Sequence, residues 1–482
     1  MLFSSPIFLF LFLPIALLGY YLAFGRLKNY WLLWVSLVFF AWGGVSYTSI
    51  LISSVVFNYF IGLAIEKKLK SKRAYWWLAF GVFCNILTLG IYKYADFFIT
   101  NINPLLNTFN APDIALTKIA LPIGISFYTF HSLSYLIDIY RGKTSAQKNI
   151  LDLALYICMF SQLIAGPIIR YSDVWLQLKT RTHTLTKFSS GIERFIIGLG
   201  KKVLLANTFA RIADTSFVAN PDELGTLNAW LGIICYTLQI YCDFSGYSDM
   251  AIGLGRMFGF EFQENFNFPY KANSIKDFWH RWHISLSTFF KDYVYIPLGG
   301  NRVKKSKIYF NLIFVFFLTG FWHGASWSFV VWGLFHGFFM ITERLGFEKI
   351  LQKSWKPLAN LYTLLVVMFA WVLFKAETLT YAMNYWNALI NFKTSPDQIA
   401  VFMGYINVEF IIVTSITLLG AFGFLNFLNT FFLNSVKRAG VFASVLTYAY
   451  HSSSILIYLA ITGLCTMYLM AGTYNPFIYY KF

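Results

Sequence analysis

A long uncharged stretch with a histidine near its centre constrains the fold of this chain most. Residues 308–342 contain no Asp, Glu, Lys or Arg, and His323 lies among them in the string Phe321-Trp322-His323-Gly324. A run of this length places the histidine at membrane depth, where an ionisable group is costly to keep and marks a functional site by default. A neutral imidazole is the least costly titratable group to hold there, and it can still accept a proton near pH 7.

The composition identifies a polytopic integral membrane protein. Of 482 residues, 58% are hydrophobic and only 12% are charged, whereas soluble proteins are about 45–50% apolar and about 25% charged. The net charge of +17 does not indicate nucleic-acid binding, because the basic residues lie between apolar spans and are typical of cytoplasmic loops. Such loops also attract anionic lipid or a phosphorylated substrate. The five cysteines show no spacing typical of disulfides or zinc sites.

Hydrophobic segments separated by charged loops predict an all-α protein with roughly eleven transmembrane helices. Basic clusters lie at residues 26–28, 67–73 and 141–148. If all three are cytoplasmic, successive loops alternate consistently between the two sides of the membrane. This arrangement places the N-terminus outside and makes residues 93–118 an external segment. The predicted spans are 5–24, 30–46, 49–65, 74–92, 119–139, the uncharged stretch 308–342, 359–375, 410–433 and 440–472, with long uncharged runs able to hide hairpins.

Simple alternation fails in the centre of the chain. The apolar run 153–169 is flanked by basic residues on both sides, and Gly166-Pro167 disturbs a straight helix. Residues 271–307 are too often interrupted by charge to span. Re-entrant or interfacial helices around a funnel with a cytoplasmic mouth explain both segments, because irregular backbone at membrane depth is tolerated only inside protein or beside a cavity. We expect a single domain, 1–482, with N-terminal helices (1–150), a catalytic funnel (151–345) and C-terminal helices (346–482).

Histidines supply the candidate catalytic groups. His131, His336 and His451 also lie in apolar segments, where a hydrogen-bonded packing residue is the more common role. His323 differs because Gly324 leaves room beside it and several aromatic residues surround it.

A second aromatic string contains His280 and His283, with Asp277 one turn earlier. On a helix the two histidines share a face. A metal site is disfavoured because no third and fourth ligand is suitably spaced. The alternatives are an interfacial helix and a site where Arg281 and Lys291 meet a phosphate-bearing substrate.

Two polar strings complete the set. Asp243, Ser245 and Asp249 close an apolar run and are candidates for substrate binding. The two carboxylates orient a histidine or bind a cation, or else the string is a polar turn that ends a helix; we favour the turn slightly. The C-terminal string around Tyr479 is either an interfacial aromatic anchor or a flexible tail whose phenol enters a tunnel and carries an acyl group.

Taken together, these strings resemble the membrane-bound O-acyltransferase (MBOAT) family, in its bacterial branch of alginate and peptidoglycan O-acetylation proteins. The likeness runs in order along nearly the whole chain, with one departure at His280, where that branch more often has Arg. The matching strings are Leu121-Pro122-Ile123-Gly124-Ile125-Ser126-Phe127-Tyr128, Gly166-Pro167, Asp243-Phe244-Ser245-Gly246-Tyr247-Ser248-Asp249, Asn265-Phe266-Asn267-Phe268-Pro269-Tyr270, Trp282-His283-Ile284-Ser285-Leu286-Ser287, Tyr295-Ile296-Pro297-Leu298-Gly299-Gly300-Asn301, Trp322-His323-Gly324 and Trp371-Val372-Leu373-Phe374.

The resemblance implies an acyltransferase of the bacterial inner membrane that uses acetyl-CoA as cytoplasmic donor and holds no bound cofactor or metal. It implies that His323 is the catalytic histidine and His283 the second signature histidine. Basic groups at the funnel mouth are expected to hold the phosphates of coenzyme A; these are Arg302, Lys304 and Lys305.

The C-terminal string is similar to the tyrosine-bearing tail of the small peptide partner in teichoic-acid D-alanylation, which makes Tyr479 the candidate acyl carrier. The expected reaction is O-acetylation of a cell-envelope polysaccharide, such as alginate or peptidoglycan, through an extracytoplasmic SGNH-type acetyltransferase partner. D-alanyl transfer and non-catalytic transport of an activated acyl donor remain the alternatives, although no internal repeat typical of transporters is visible.

Overall fold

Every regular element of the described residues is helical, which confirms the predicted fold class. The computed structural model describes residues 1–115, 119–163, 166–438 and 440–476. Five helices form the N-terminal part, the first of them preceded by a π-helical turn, Phe8–Phe12. They are α1 (Leu13–Leu22), α2 (Leu27–Ala41), α3 (Val45–Lys67), α4 (Lys72–Thr108) and α5 (Ile125–Tyr140).

Helix α4 extends well beyond its predicted end at residue 92. It contains 37 residues, or about 55 Å at 1.5 Å per residue, against a hydrocarbon core of about 30 Å. Part of the segment predicted to be a separate external element is therefore a continuation of this helix. The extension carries side chains that contact the functional region described below.

The centre of the chain combines one helix of 32 residues with the short helices expected in its two interrupted segments. Both the 153–169 run and the 271–307 segment are broken into pieces too short to span. The helices are α6 (Ile150–Cys158), α7 (Phe160–Leu163), α8 (Tyr171–Val174), α9 (Leu185–Gly200), a π-helical segment (Lys201–Ala206), α10 (Asn207–Val218), α11 (Pro221–Leu224), α12 (Thr226–Met257), a 3₁₀ turn (Pro269–Lys271), α13 (Ile275–Arg281), α14 (Ile284–Phe290) and a second π-helical segment (Lys291–Tyr295).

The uncharged stretch 308–342 is a helical hairpin. Helix α15 (Lys305–His323) ends at the histidine, and α16 (Trp327–Thr342) returns alongside it. The remaining elements are a π-helical segment (Glu343–Phe347), α17 (Glu348–Lys353), α18 (Lys356–Lys375), α19 (Leu379–Ile390), α20 (Pro396–Tyr405), α21 (Val408–Ala421), α22 (Phe424–Arg438), a 3₁₀ turn (Gly440–Phe442) and α23 (Ala443–Met470). The span predicted at 410–433 is thus two helices that meet at Gly423, a residue with φ +72°.

Length and composition allow four described helices to cross a membrane, namely α3, α4, α18 and α23. A fifth span is possible if α20 and α21, which are bent by 70° relative to each other, act together. Several other apolar helices are shorter. The total of about eleven spans stays a prediction.

The buried helix α12 is the axis of the core, and α9 packs against it more closely than ordinary side chains allow. The two helices meet glycine to glycine: a Cβ added at Gly198 would lie 2.5 Å from the carbonyl oxygen of Gly246, and one at Gly191 would lie 2.7 Å from that of Gly253. Small residues permit this approach of backbones, and they are enriched at helix interfaces in membranes.

This close approach predicts that Gly198→Ala destabilises the protein, because the added methyl group must push two backbones apart. Overpacking of this kind costs about 1–3 kcal/mol. Gly90→Ala is the matched control, since a Cβ at Gly90 of α4 meets nothing within 4 Å. The thermal unfolding midpoint of detergent-purified protein should fall for Gly198→Ala and not for Gly90→Ala; equal midpoints would show that the interface tolerates a methyl group.

Candidate active site

His323 is the last residue of α15 and lies buried among aromatic rings. Only 3% of its surface is exposed. Trp332 of α16 and Phe374 of α18 both meet the imidazole edge-on, with ring centroids 5.0 and 5.2 Å away. Gly324 follows with an extended backbone, and a Cβ there would overlap the ring of Phe329 at 2.2 Å. A glycine is therefore required for the chain to turn away directly after the histidine.

His283 occupies the N-cap of α14 with a left-handed backbone, φ 44° and ψ 54°. This conformation is uncommon outside glycine, and residues held in it cluster at functional sites. Asn265 stabilises the turn, because its backbone carbonyl accepts from Ile284 N at 3.0 Å and its Oδ1 accepts from the hydroxyl of Ser285 at 2.8 Å. The histidine is fully buried.

The same asparagine fixes the tautomer of His283. Asn265 Oδ1 also accepts from the backbone N–H of Ser285 at 3.2 Å, and a backbone N–H only donates, so this atom is the acceptor. His283 Nδ1, 3.2 Å from Oδ1, must therefore carry the proton. Nε2 is left as an acceptor, and it has no hydrogen-bond partner among the described residues. The second histidine thus presents a free lone pair in a buried site.

Aromatic contacts bring the two histidines together. The ring of Trp322 lies 4.9 Å from that of His323 and 6.2 Å from that of His283, while Phe244 of α12 packs edge-on against His283 at 4.6 Å. Both candidate histidines therefore contact the same indole ring.

A third buried histidine, His336 of α16, adjoins this cluster. Trp332 contacts both His323 and His336, and Trp279 donates to His336 Nδ1 at 3.4 Å. Its environment fits the packing role expected from the sequence. His451 does not fit that role, since it is exposed on α23.

A cavity of about 560 Å³ leads towards this cluster from the end of the α15–α16 hairpin that the sequence places in the cytoplasm. Its mouth carries the cations Lys276, Lys291 and Arg344 and the carboxylate of Glu348, which pairs with Lys276 at 2.9 Å; Glu343 also lines the cavity but is buried. Its depth is apolar and includes Trp279, Phe316 and Thr319. Thr319 lies one helical turn before His323, so the cavity approaches His323 from the N-terminal side of α15.

The structure separates the predicted phosphate-binding residues. Lys291 and Asn301 line the cavity, but Arg302, Lys304 and Lys305 do not. Arg302 and Lys304 are exposed in the loop after Asn301, and Lys305 is exposed as the first residue of α15. Arg281 also points elsewhere and forms an ion pair with Asp277 at 2.8 Å. Lys276, directly before Asp277, and Arg344, directly after the uncharged stretch, also line the cavity although neither was among the predicted site residues.

The expectation that His280 and His283 share a helix face is wrong. Helix α13 ends at Arg281, and the left-handed turn at His283 points the second histidine away, so His280 is exposed while His283 is buried. No group of three or more His, Cys, Asp or Glu side chains within the described ranges is arranged to hold a metal ion.

The string from Asp243 to Asp249 lies within α12, so the favoured prediction of a helix-ending turn is wrong. Its carboxylates are compensated by cations from the π-helical segment and α9: Asp243 pairs with Lys202 at 2.8 Å, and Asp249 pairs with Lys201 and Arg194 at 2.6 Å each. Asp243 and Lys202 are each only 1% exposed. Ser245 is buried beside them, and its Oγ has no hydrogen-bond partner in the described part of the chain.

The C-terminal tail runs along α10 towards Lys202. The hydroxyl of Tyr474 donates to Asp214 at 2.6 Å, Asn207 Nδ2 donates to Asn475 Oδ1 at 3.2 Å, and the ammonium of Lys202 donates to the carbonyl of Pro476. Successive tail residues thus contact successively earlier turns of α10 and then the π-helical segment before it. Tyr479 lies outside the described residues.

Comparisons with known proteins show what this chain is similar to in sequence. The sequence model of the family described as "MBOAT, membrane-bound O-acyltransferase family" matches residues 140–423. A protein named "Probable alginate O-acetylase AlgI" from Azotobacter vinelandii is 47% identical over 393 residues, which cover 81% of this chain and 78% of that protein. Its namesake from Pseudomonas aeruginosa is 46% identical over 82% of this chain and 76% of its own length. A "Peptidoglycan O-acetyltransferase" from Helicobacter pylori is 39% identical over 80% of this chain and 79% of its own length.

Proposed function

Because the chain belongs to the membrane-bound O-acyltransferase family, we propose that it takes acetyl from cytoplasmic acetyl-CoA and passes it across the bacterial inner membrane for O-acetylation of an envelope polysaccharide. The relatives named for alginate and for peptidoglycan O-acetylation support this class of acceptor. Because these relatives are named for O-acetylation, they also favour acetyl over D-alanyl as the transferred group. The observation that carries the proposal is the cavity that runs from a charged mouth to within one turn of His323.

The cavity suits a coenzyme A thioester. Its volume falls in the range of about 300–1,000 Å³ typical of small-molecule sites. The cations Lys276, Lys291 and Arg344 at the mouth are placed to meet phosphate groups, and the apolar depth suits the pantetheine arm. A thioester carbonyl at the inner end then reaches the region of His323.

His323 is proposed as the general base. It takes the proton of an acceptor hydroxyl as that oxygen attacks the thioester carbonyl, so that a C–O bond forms and the C–S bond breaks. The leaving thiolate then takes the proton back and restores the neutral imidazole. His283 Nε2, an available acceptor, is suited to orient the hydroxyl.

Tyr479 is proposed as the acceptor that carries acetyl outward. The path of the tail supports this role. The carbonyl of Pro476 accepts from Lys202, and Lys202 forms an ion pair with Asp243. The next residue, Phe244, packs on His283. A tail that reaches this point needs only a few more residues, at up to about 3.5 Å each, to approach the histidines. An extracytoplasmic SGNH-type acetyltransferase is proposed to collect the acetyl group and deliver it to the polymer.

Replacing the proposed base tests the reaction directly. With detergent-purified protein and acetyl-CoA, His323→Ala should lower the rate of thiol release by about 10²–10⁴-fold, the usual contribution of general base catalysis. His451→Ala is the matched control, since His451 is exposed on α23. Unchanged thiol release in His323→Ala would rule out the proposed base, and binding of acetyl-CoA to the unaltered protein without turnover would favour a transporter.

Replacing the proposed carrier tests the onward step. Tyr479→Phe removes only the hydroxyl oxygen that would form the ester, so polysaccharide acetylation in cells should be abolished while protein level and acetyl-CoA binding are retained. Tyr480→Phe is the neighbouring control and should keep acetylation. Acetylation that persists in Tyr479→Phe would exclude this tyrosine as the carrier.

A further inference from the structure

We propose that Lys93 and Tyr94, adjacent residues of α4, are positioning residues that hold the C-terminal end of α15 and thereby fix His323 in its reactive orientation. This inference rests on the proposed function of His323. Neither residue was selected by the sequence analysis, which placed the end of the fourth span at residue 92.

Both side chains bond the backbone immediately before the histidine. The hydroxyl of Tyr94 donates to the carbonyl of Phe321 at 2.9 Å. The ammonium of Lys93 donates to the carbonyl of Trp322 and, at 3.2 Å, to the hydroxyl of Ser126 on α5. Two consecutive carbonyls next to His323 are therefore held by two consecutive residues of another helix.

The end of α15 needs such donors. The last four carbonyls of an α-helix lack intrahelical partners, and the only backbone cap here is a long contact of 3.4 Å from Gly324 N to the carbonyl of Gly320. A cation at a helix C-terminus is also favoured by the helix dipole. Lys93 and Tyr94 therefore donate to carbonyls that the turn at Gly324 leaves without partners within the helix.

The side chains of the two segments also contact each other. The ring of Tyr94 stacks on that of Phe321 with centroids 4.2 Å apart and planes at 12°. The Lys93 ammonium lies 5.5 Å from the ring centre of Trp322, within reach of a cation–π interaction. Phe130 of α5 stacks on the other side of the cluster, 5.2 Å from Trp322. Backbone and side chains before His323 are thus both immobilised.

The position of the Lys93 ammonium costs free energy that other interactions must offset. No carboxylate among the described residues lies within ion-pair distance of its ammonium, although most of the other inward-facing cations near the core have such a partner. Lys93 is half-buried, and a cation withdrawn from water without a counter-ion is unfavourable. The bonds to Trp322 and Ser126 compensate part of that cost, which links the retention of this lysine to the end of α15.

The proposal predicts a defect in the chemical step alone. The charged mouth of the cavity is at the opposite end of α15, so donor binding should not depend on Lys93. Loss of the bonds lets the imidazole drift, and a displacement of about 1 Å from the reacting atoms can cost about 10²-fold in rate. A loss of kcat at constant KM is the expected pattern for a group that acts only on the transition state.

The test is steady-state acetyl-CoA thiol release by detergent-purified Lys93→Met, Lys93→Arg and Tyr94→Phe, with Tyr92→Phe as matched control. Tyr92 lies on the same helix and bonds neither carbonyl. We expect Lys93→Met to lower kcat about 10- to 100-fold and Tyr94→Phe to lower it less, with KM within about twofold of the unaltered protein. Lys93→Arg, which keeps a cationic donor, should recover most of the rate, and Tyr92→Phe should retain it.

Two results would overturn the proposal. One is a kcat of Lys93→Met and Tyr94→Phe equal to that of Tyr92→Phe. The other is a parallel loss of activity and thermal stability in Lys93→Met that Lys93→Arg does not recover, which would indicate a purely structural role. If the unaltered protein itself releases no thiol, or if His323→Ala releases it normally, the proposed function fails instead; the two failures are therefore distinguishable.

Discussion

The structure depends on one constraint: a helix that ends inside the protein, at membrane depth, with a histidine as its last residue. Hydrocarbon supplies no hydrogen bonds, so every backbone group at such an end needs a partner from the protein. Helix α15 ends at His323, the chain turns at Gly324, and α4 donates to the carbonyls of Phe321 and Trp322. The result is an imidazole whose backbone is held on one side while its ring lies between Trp332 and Phe374.

Two features lie near the candidate histidines. The cavity from the charged mouth reaches the turn of α15 that contains Thr319. The C-terminal tail follows α10 and then meets Lys202 of the preceding π-helical segment, whose ion-pair partner Asp243 is next to the Phe244 that packs on His283. In the proposed function, a donor in the cavity and an acceptor on the tail meet at the two histidines. Ion pairs join α12 to the π-helical segment that the tail contacts.

The sequence predicted the parts of this arrangement that depend on local pattern. An ionisable group in an uncharged run identified His323, and basic flanks on both sides of the 153–169 run indicated broken helices in the centre. What it missed depends on contacts between distant segments. Lys93 was read as the residue after a span because hydropathy does not reveal that α4 continues to Thr108. Lys276 and Arg344 are distant in sequence, so the sequence does not show that they lie at the same cavity mouth. The left-handed turn at His283 could not be predicted either, because Asn265 stabilises it only in the folded chain.

The central claim is that a thioester reaches His323 through this cavity. The most direct measurement is a cryo-EM structure of the full chain with a non-hydrolysable acetyl-CoA analogue. The account predicts that the acyl carbonyl lies about 3–4 Å from the His323 imidazole, a distance that leaves room for the acceptor oxygen. It also predicts that the phosphates contact Lys276, Lys291 and Arg344. An analogue bound elsewhere, or held in the cavity with a closed wall between its acyl group and His323, would contradict the account.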